Sequence, residues 1–316
     1  MKRREFVVGA FVLAAAPEAM ARSLGGRATA LVTADLESHI VAVDVLSGRV
    51  VRELPTLADP RSIESVGNLA VVGHTAQGAV SIVDGATLRV RRVLDGFAEP
   101  RYTVALGDGR HALVTDSGPG ELLVVDAVAG RVVGRAPLGG AARHLSLDRE
   151  TRRAVVALGN EAERIAVVDV RAPARPRLVR SFVPPFLAHD VGVPSGRRLW
   201  VTSGESRELS LYERGRVVAR LRADAPPQHV TFHRGRAYVT SGDDGRLRVY
   251  SAATGRLLGS SRIPLGSYNV QHAYGGRILI PSLSQGTLCI ADACGHVLRT
   301  VRVARSSHDA CFVISA

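Results

Sequence analysis

Residues 237–272 read AYVTSGDDGRLRVYSAATGRLLGSSRIPLGSYNVQH, and the fold can be inferred from this segment. A fourth strand-like run begins at Ser267, after three runs of β-type residues: Ala237–Thr240, Leu247–Ser251 and Arg256–Arg262. Glycines lie in the segments between the runs and favour tight turns, because glycine adopts positive φ without a steric penalty. Four short strands cannot bury both faces of their sheet alone, so the stretch predicts a unit that is repeated.

The unit recurs with a period of about 41 residues, as expected for a repeat architecture. Copies of its first strand begin at Ala30, Ala70, Ala112, Ala154, Leu199, Ala237 and Ile278. Short strands, regular turns and the absence of a helical period predict an all-β protein. We therefore expect a single seven-bladed β-propeller of four-stranded blades over residues 28–316.

The copy at residues 237–241, Ala-Tyr-Val-Thr-Ser, resembles the YVTN family of bacterial β-propeller repeats, the surface-layer and YncE-like propellers. The Trp-Asp pair of WD40 repeats is absent, and Trp200 is the only tryptophan. The resemblance implies that the strand following each Pro-x-x entry is the innermost strand of its blade. The C-terminal strand, Ala310–Ser315, should then close the first blade by pairing with Ala30–Thr33, which removes the free sheet edges.

The first 21 residues have the features of an export signal. Basic residues precede a short apolar segment that ends at Ala16, and Ala19-Met20-Ala21 follows as a cleavage site. The apolar segment is too short to span a membrane. Arg3 and Arg4, followed by Phe6, resemble a twin-arginine signal, with an ordinary secretory signal as the alternative. We expect a periplasmic or otherwise extracytoplasmic, monomeric mature protein without a transmembrane helix.

The formal net charge of the chain is +12, and Lys2 is its only lysine. A basic chain can bind nucleic acid or anionic membranes. No helix-turn-helix, zinc finger or aromatic-studded basic groove accompanies the charge, so nucleic acid is not the favoured partner. The arginines are interpreted mainly as solvated residues of turns.

Two further patterns limit the chemistry. Cys289, Cys294 and Cys311 have no zinc-type spacing, and a Cys289–Cys294 bridge or buried free thiols both remain open. The nucleophile elbow, the P-loop, the dinucleotide fingerprint and the His-Glu-x-x-His motif are all absent. The sequence therefore assigns no enzyme class.

The entries to the inner strands differ most between copies. They are Pro60-Arg61-Ser62, Pro100-Arg101-Tyr102, Ala142-Arg143-His144, Ala188-His189-Asp190, Pro227-Gln228-His229, Ser267-Tyr268-Asn269 and Ser307-His308-Asp309. In YVTN-type repeats the third residue is commonly glycine, whereas here it is always polar. These seven triplets should form a ring around one mouth of the central channel, which we call the triplet ring.

The triplet ring has two unlike arcs. Guanidinium groups on one arc suit a carboxylate or phosphate, because they bind such groups through paired hydrogen bonds. The candidate residues for a cofactor or anionic ligand are Arg61, Arg101, Arg143 and Tyr268. Imidazoles and carboxylates on the other arc suit a transition metal. The candidate metal ligands are His144, His189, Asp190, His229, His308 and Asp309. The alternative is that these polar groups only satisfy strand ends and channel water.

Two hypotheses for function follow. The first is a non-catalytic scaffold that binds a protein or an anionic small molecule through the channel mouth. The second is a cofactor-holding or enzymatic propeller that binds a transition metal or a d-type haem. The haem hypothesis rests on analogy with the propellers that hold d-type haem in bacterial nitrite reductases, which have eight blades.

Overall fold

Seven antiparallel sheets of four strands make up the chain in a computed structural model, which describes residues 26–194, 198–272 and 274–316. The prediction of an all-β, seven-bladed propeller is confirmed. The expected export segment, residues 1–21, lies outside the described residues. In the part of the chain that the structure describes, no helix is long and apolar enough to cross a membrane.

The strands take four positions in the blades, from the channel outward. The inner strands are β4 (Pro60–Val66), β8 (Pro100–Ala105), β12 (Ala142–Asp148), β16 (Val191–Gly192), β20 (Val230–His233), β24 (Gln271–His272) and β28 (Ala310–Ser315). The second strands are β1 (Arg27–Ala34), β5 (Leu69–His74), β9 (His111–Asp116), β13 (Arg153–Leu158), β17 (Arg198–Thr202), β21 (Arg236–Ser241) and β25 (Ile278–Ser282). The third strands are β2 (His39–Asp44), β6 (Ala79–Asp84), β10 (Glu121–Asp126), β14 (Ile165–Asp169), β18 (Glu208–Glu213), β22 (Arg246–Ser251) and β26 (Thr287–Ala291). The outer strands are β3 (Val50–Pro55), β7 (Arg89–Leu94), β11 (Arg131–Pro137), β15 (Arg177–Phe182), β19 (Arg216–Arg222), β23 (Leu257–Arg262) and β27 (Val297–Arg302). Two short 3₁₀ turns, Thr75–Gln77 and Tyr274–Gly276, complete the described secondary structure.

Contacts between inner strands show that the blades form a ring. Each inner strand contacts the inner strand of the next blade, from β4 through β24 to β28 and back to β4. The inner strands therefore surround a central channel, and the residues that enter them meet at its mouth.

The second and third strands form the core between blades. Strands such as β5 and β10 are buried along almost their whole length and consist mainly of valine, leucine and alanine. Each blade packs against a neighbour on both faces, so these strands read as continuous apolar runs rather than alternating ones. Outer strands such as β19 are largely exposed and rich in arginine.

The first blade is closed by the end of the chain, as expected. Strand β28 pairs antiparallel with β1, with Ala310 opposite Val32 and Phe312 opposite Ala30. Blade 1 thus has the order β28-β1-β2-β3, whereas each other blade is continuous in sequence. The three cysteines are free: Cys289 and Cys311 are buried and Cys294 is exposed, so the buried-thiol alternative holds for two of them.

Candidate functional site

The threonine of the repeated Val-Thr motif holds several triplets in place. Its hydroxyl oxygen accepts the backbone N–H of the third triplet residue in three blades. These bonds join Asp309 to Thr33 at 2.9 Å, Tyr102 to Thr115 at 3.1 Å and Asp190 to Thr202 at 3.0 Å. The motif that reveals the fold therefore also fixes the backbone of the triplet ring.

Three histidines from consecutive blades meet at the channel mouth. The ring centroid of His144 lies 4.4 Å from that of His189 and 4.6 Å from that of His229. The centroids of His189 and His229 are 5.2 Å apart. One ring nitrogen of each lies within 4.8 Å of the others. We call His144, His189 and His229 the histidine cluster.

A glycine makes room for one member of the cluster. Gly204 has a φ of +73°, and a Cβ atom placed on it would lie 2.6 Å from Cβ of His189. A side chain at this position would therefore displace the His189 ring as well as strain the backbone.

A hydrogen bond orients His189, and a close carboxylate faces Nδ1 of His229. Nδ1 of His189 lies 3.2 Å from the carbonyl oxygen of Asn160, and Nδ1 of His229 lies 3.4 Å from Oδ2 of Asp190. A proton on each Nδ1 leaves each Nε2 as a free lone pair, which is the usual arrangement for a metal-binding histidine. His144 differs: it is 1% exposed, and neither of its ring nitrogens has a hydrogen-bond partner.

Two members of the histidine cluster, His144 and His189, are uncharged at neutral pH. Burial lowers the pKa of His144 well below its usual range, and the neighbouring histidines and Arg143 lower it further. Burial and the charge of His229 lower the pKa of His189 to about 4. A metal ion binds the neutral imidazole, so no proton has to leave these two side chains first.

His308 lies near the cluster but makes a different contact. Its Nδ1 lies 2.6 Å from the carbonyl oxygen of Arg61. Burial, with the charges of Arg61 and His229, lowers the pKa of His308 to about 3. It does not share the close nitrogen spacing of the histidine cluster.

The two candidate aspartates hold neighbouring blades together. Oδ1 of Asp190 accepts the N–H of Val191, and its Oδ2 accepts the N–H of Val230 in the next blade. Asp309 does the same with Ala310 and, at 3.0 Å, with Ile63 of blade 2. Their carboxylate oxygens are engaged by backbone donors, and neither residue joins the close nitrogen set of the cluster.

The candidate arginines lie side by side on the next arc. Burial lowers the pKa of Arg101, and the positive charges of Arg143 and Arg61 lower it further. The ion pairs of Arg61 and Arg101 are long: 3.7 Å to Asp35 and 3.7 Å to Glu99. We call Arg61, Arg101 and Arg143 the arginine arc.

Tyr102 and Tyr268 occupy different parts of the ring. The Tyr102 ring lies 4.0 Å from that of His144, between the arginine arc and the histidine cluster. Burial raises the pKa of Tyr102 to about 12, so its hydroxyl remains a neutral donor. Tyr268, which the sequence placed in the site, donates its hydroxyl proton to Asp243 at 3.1 Å and makes no ring contact with the cluster.

A cavity of about 490 Å³ continues from the cluster into the channel. It is lined by His144 and His229 at one end and by Arg149 and His272 at the other. Glu64 also lines it, and burial raises the pKa of this carboxyl to about 7. Burial and the charge of Glu64 raise the pKa of Asp309 to about 8.

Neither Tyr102 nor Glu64 was predicted to have a role in the site. Tyr102 occupies the third triplet position, between three arginines and three histidines of the ring, and this position could have indicated a role in the site. Glu64 lies two residues beyond Ser62, and residues two apart on a strand face the same side. The second channel-facing layer could therefore have been found from strand periodicity.

The fold and the site define a seven-bladed β-propeller with a histidine cluster at its channel mouth. No family model matches the sequence, and no curated protein matches it. Solved structures show the likeness of fold. Hydrazine synthase of Kuenenia stuttgartiensis is 15% identical with a TM-score of 0.73, over 84% of this chain and 92% of that chain. A functionally unknown protein from Desulfotomaculum acetoxidans DSM 771 is 11% identical with a TM-score of 0.77, over 91% of this chain and 99% of that one.

Proposed function

We propose that this protein is an extracytoplasmic binding propeller that holds one divalent transition-metal ion through His144, His189 and His229. The observation that carries the proposal is the unpartnered, buried imidazole of His144. Leaving a buried polar group without a partner costs about 1–3 kcal/mol, and a metal ion would remove that cost. Imidazole ligands suit zinc, copper, iron and nickel.

The spacing of the cluster fits such an ion after small side-chain rotations. Ligand nitrogens in a tetrahedral zinc site lie about 3.4 Å apart, given metal–nitrogen bonds of about 2.0–2.1 Å. The cluster nitrogens lie within 4.8 Å of one another. Three protein ligands leave one coordination position for an exchangeable ligand, the pattern of binding and catalytic sites rather than of closed structural ones.

The geometry favours a single ion over the d-type haem alternative. The three imidazoles are packed with centroids 4.4–5.2 Å apart. A tetrapyrrole inserted among them would have to separate two buried side chains and one partly buried one. An ion needs only their nitrogens.

The export part of the proposal rests on residues 1–21, with their paired arginines, short apolar segment and Ala-x-Ala site. Sequencing the N-terminus of the exported protein tests it. A chain that begins at Arg22 is the expected result, and a retained Met1 would contradict it.

Metal titration of the purified protein tests the site. After removal of metal with a chelator, cobalt(II) should bind at one equivalent with a visible spectrum typical of tetrahedral coordination. His144→Ala, His189→Ala and His229→Ala should each weaken binding more than about hundredfold, because changes behind the ligands already cost about 10–100-fold.

Two control variants separate the cluster from its surroundings. His308→Ala removes a nearby imidazole whose Nδ1 is bound to the Arg61 carbonyl oxygen, and should retain the ion. His111→Ala removes a surface imidazole paired with Asp108 and should behave as wild type. No stoichiometric metal, or full retention by His144→Ala, would refute the site.

A further inference from the structure

We propose that the open coordination position is filled by a small dianionic oxyacid, with one oxygen on the metal and another on the arginine arc. This inference rests on the proposed metal site and names the class of ligand that would complete it. The chemistry that recognises the ligand is a pair of separated anionic oxygens, as in a dicarboxylate or a phosphate.

The arginine arc lacks balancing negative charge. Arg61 and Arg101 have acidic partners only at 3.7 Å or more, and Glu99, the partner of Arg101, has a half-exposed side chain. Among the described residues no acidic partner lies within ion-pair distance of Arg143. Nε of Arg101 and Nε of Arg143 are buried without hydrogen-bond partners.

Arg248 shows how this protein neutralises a buried arginine. Its side chain is 4% exposed and contacts two carboxylates, with a 2.5 Å distance to Asp244 and a second contact to Asp224. The guanidinium groups of the arginine arc have no such pair of close acids. Adjacent like charges with free donors are unfavourable unless an anion joins them, so the arc is built to receive one.

The arginine arc and the histidine cluster are neighbours on the triplet ring. Arg143 directly precedes His144 in the chain, and Tyr102, in the same ring, contacts the His144 imidazole at a centroid distance of 4.0 Å. A ligand held by Arg101 and Arg143 would therefore lie beside the cluster. The Tyr102 hydroxyl offers it a further, neutral donor.

The combined charge of the metal ion and the arginine arc favours a dianion. A divalent ion held by three neutral imidazoles keeps a charge of +2, and the arginine arc adds its cations next to it. A dianion with separated oxygens compensates both, whereas a neutral ligand compensates neither.

The experiment measures inorganic phosphate and malonate binding to cobalt-loaded protein, by calorimetry and by the cobalt spectrum. One or both should bind saturably and perturb the spectrum. Binding of phosphate would identify the ligand as a tetrahedral oxyanion, and binding of malonate would identify it as a dicarboxylate. Arg101→Gln and Arg143→Gln should each weaken binding by about 10–100-fold, the loss expected for one charged hydrogen-bond donor. Metal-free protein should bind at least about tenfold more weakly, because the metal oxygen bond is lost.

Arg305→Gln is the matched control. Arg305 lies just before the Ser307 triplet, pairs with Glu37 and is mostly exposed, so the variant removes the same charge without touching the arc. It should change anion affinity less than about threefold, because an exposed charge contributes little. Arg143→Gln should also raise metal affinity in the absence of anion, since it removes a positive charge beside the ion.

The outcomes distinguish this inference from the proposed function. Protein that binds one equivalent of metal but no phosphate or malonate at millimolar concentration overturns the inference alone. Equal anion affinity in wild type, Arg101→Gln and Arg143→Gln overturns it too, as does arginine-dependent binding that ignores the metal. Protein that binds no metal overturns the proposed function, and the metal content of each sample records that case separately.

Discussion

The same position of the repeat is used in two opposite ways. In blade 1 and blade 5 the third triplet residues, Asp309 and Asp190, turn their carboxylates to the backbone of the next blade. In blade 4 the third triplet residue is His144. It makes no hydrogen bond to the next blade, since neither of its ring nitrogens has a partner. The two aspartates therefore stabilise the contact between neighbouring blades, whereas the nitrogens of His144 are free to bind a ligand.

The contrast shows how a symmetric scaffold acquires a site. At this position of the repeat, a side chain can accept backbone N–H groups of the next blade. Where the side chain makes no such hydrogen bond, it is available to a ligand. Changes at the tying positions should therefore damage the whole fold, whereas changes at the histidine positions should damage binding alone.

The largest effect is expected from removing the strand that closes blade 1, together with its contact to blade 2. Deleting Ser307–Ala316 removes β28, which pairs with β1 over six residues, together with Asp309. The exposed edge of β1 and the open ring should leave the protein unfolded or insoluble. Soluble yield and circular dichroism check this. A truncated chain that stays folded and monomeric would show that the ring closes without its last strand.

A smaller loss is expected when only the tying side chain is removed. Asp309→Ala leaves the buried N–H groups of Ile63 and Ala310 without their acceptor. The free energy of unfolding should fall by about 2–6 kcal/mol, at about 1–3 kcal/mol for each of the two unsatisfied groups. Urea denaturation of the metal-free protein measures it. Asp309→Asn keeps one oxygen acceptor and should lose less, as Asn269 at the equivalent position already bonds Val270. Equal losses in the two variants would contradict the tie.

The smallest effect should have the opposite sign. His144→Leu removes two buried, unpartnered nitrogens and keeps an apolar side chain against Tyr102. The metal-free variant should be more stable by about 1 kcal/mol, because the cost of an unsatisfied buried group is relieved. Thermal and urea unfolding give the value. His111→Leu is the control, since it removes an imidazole that is paired with Asp108 at 2.8 Å and should destabilise. A destabilised His144→Leu would mean that the imidazole has a partner in solution.

The fold was predictable because the repeat carries its determinants locally. The runs expected at Ala237–Thr240 and Leu247–Ser251 appear as Arg236–Ser241 and Arg246–Ser251. Turn glycines and apolar runs act within a few residues, so they can be read from sequence. The closing strand followed from the phase of the repeat, and its pairing with β1 confirms it.

The site was only half predictable because its decisive contacts cross between blades. The sequence brought His144, His189 and His229 to one mouth, and they do meet there. It grouped Asp190 and Asp309 with them by residue type, yet their oxygens face backbone donors of the next blade. Which way a carboxylate turns depends on a neighbour about 40 residues or more away, and no pattern within one repeat records that.

The pairing of β28 with β1 also has a consequence for how the protein is made. Strand β1 leaves the ribosome early, but its inner partner begins at Ala310. At roughly 5–20 residues per second, the intervening chain takes roughly 15–55 s to synthesise. During that interval the apolar strand β1 has one unpaired edge, while the strands of the later blades are synthesised. The first blade to be translated is thus the last to receive all four of its strands, and its unpaired edge is where a chaperone would have most to protect.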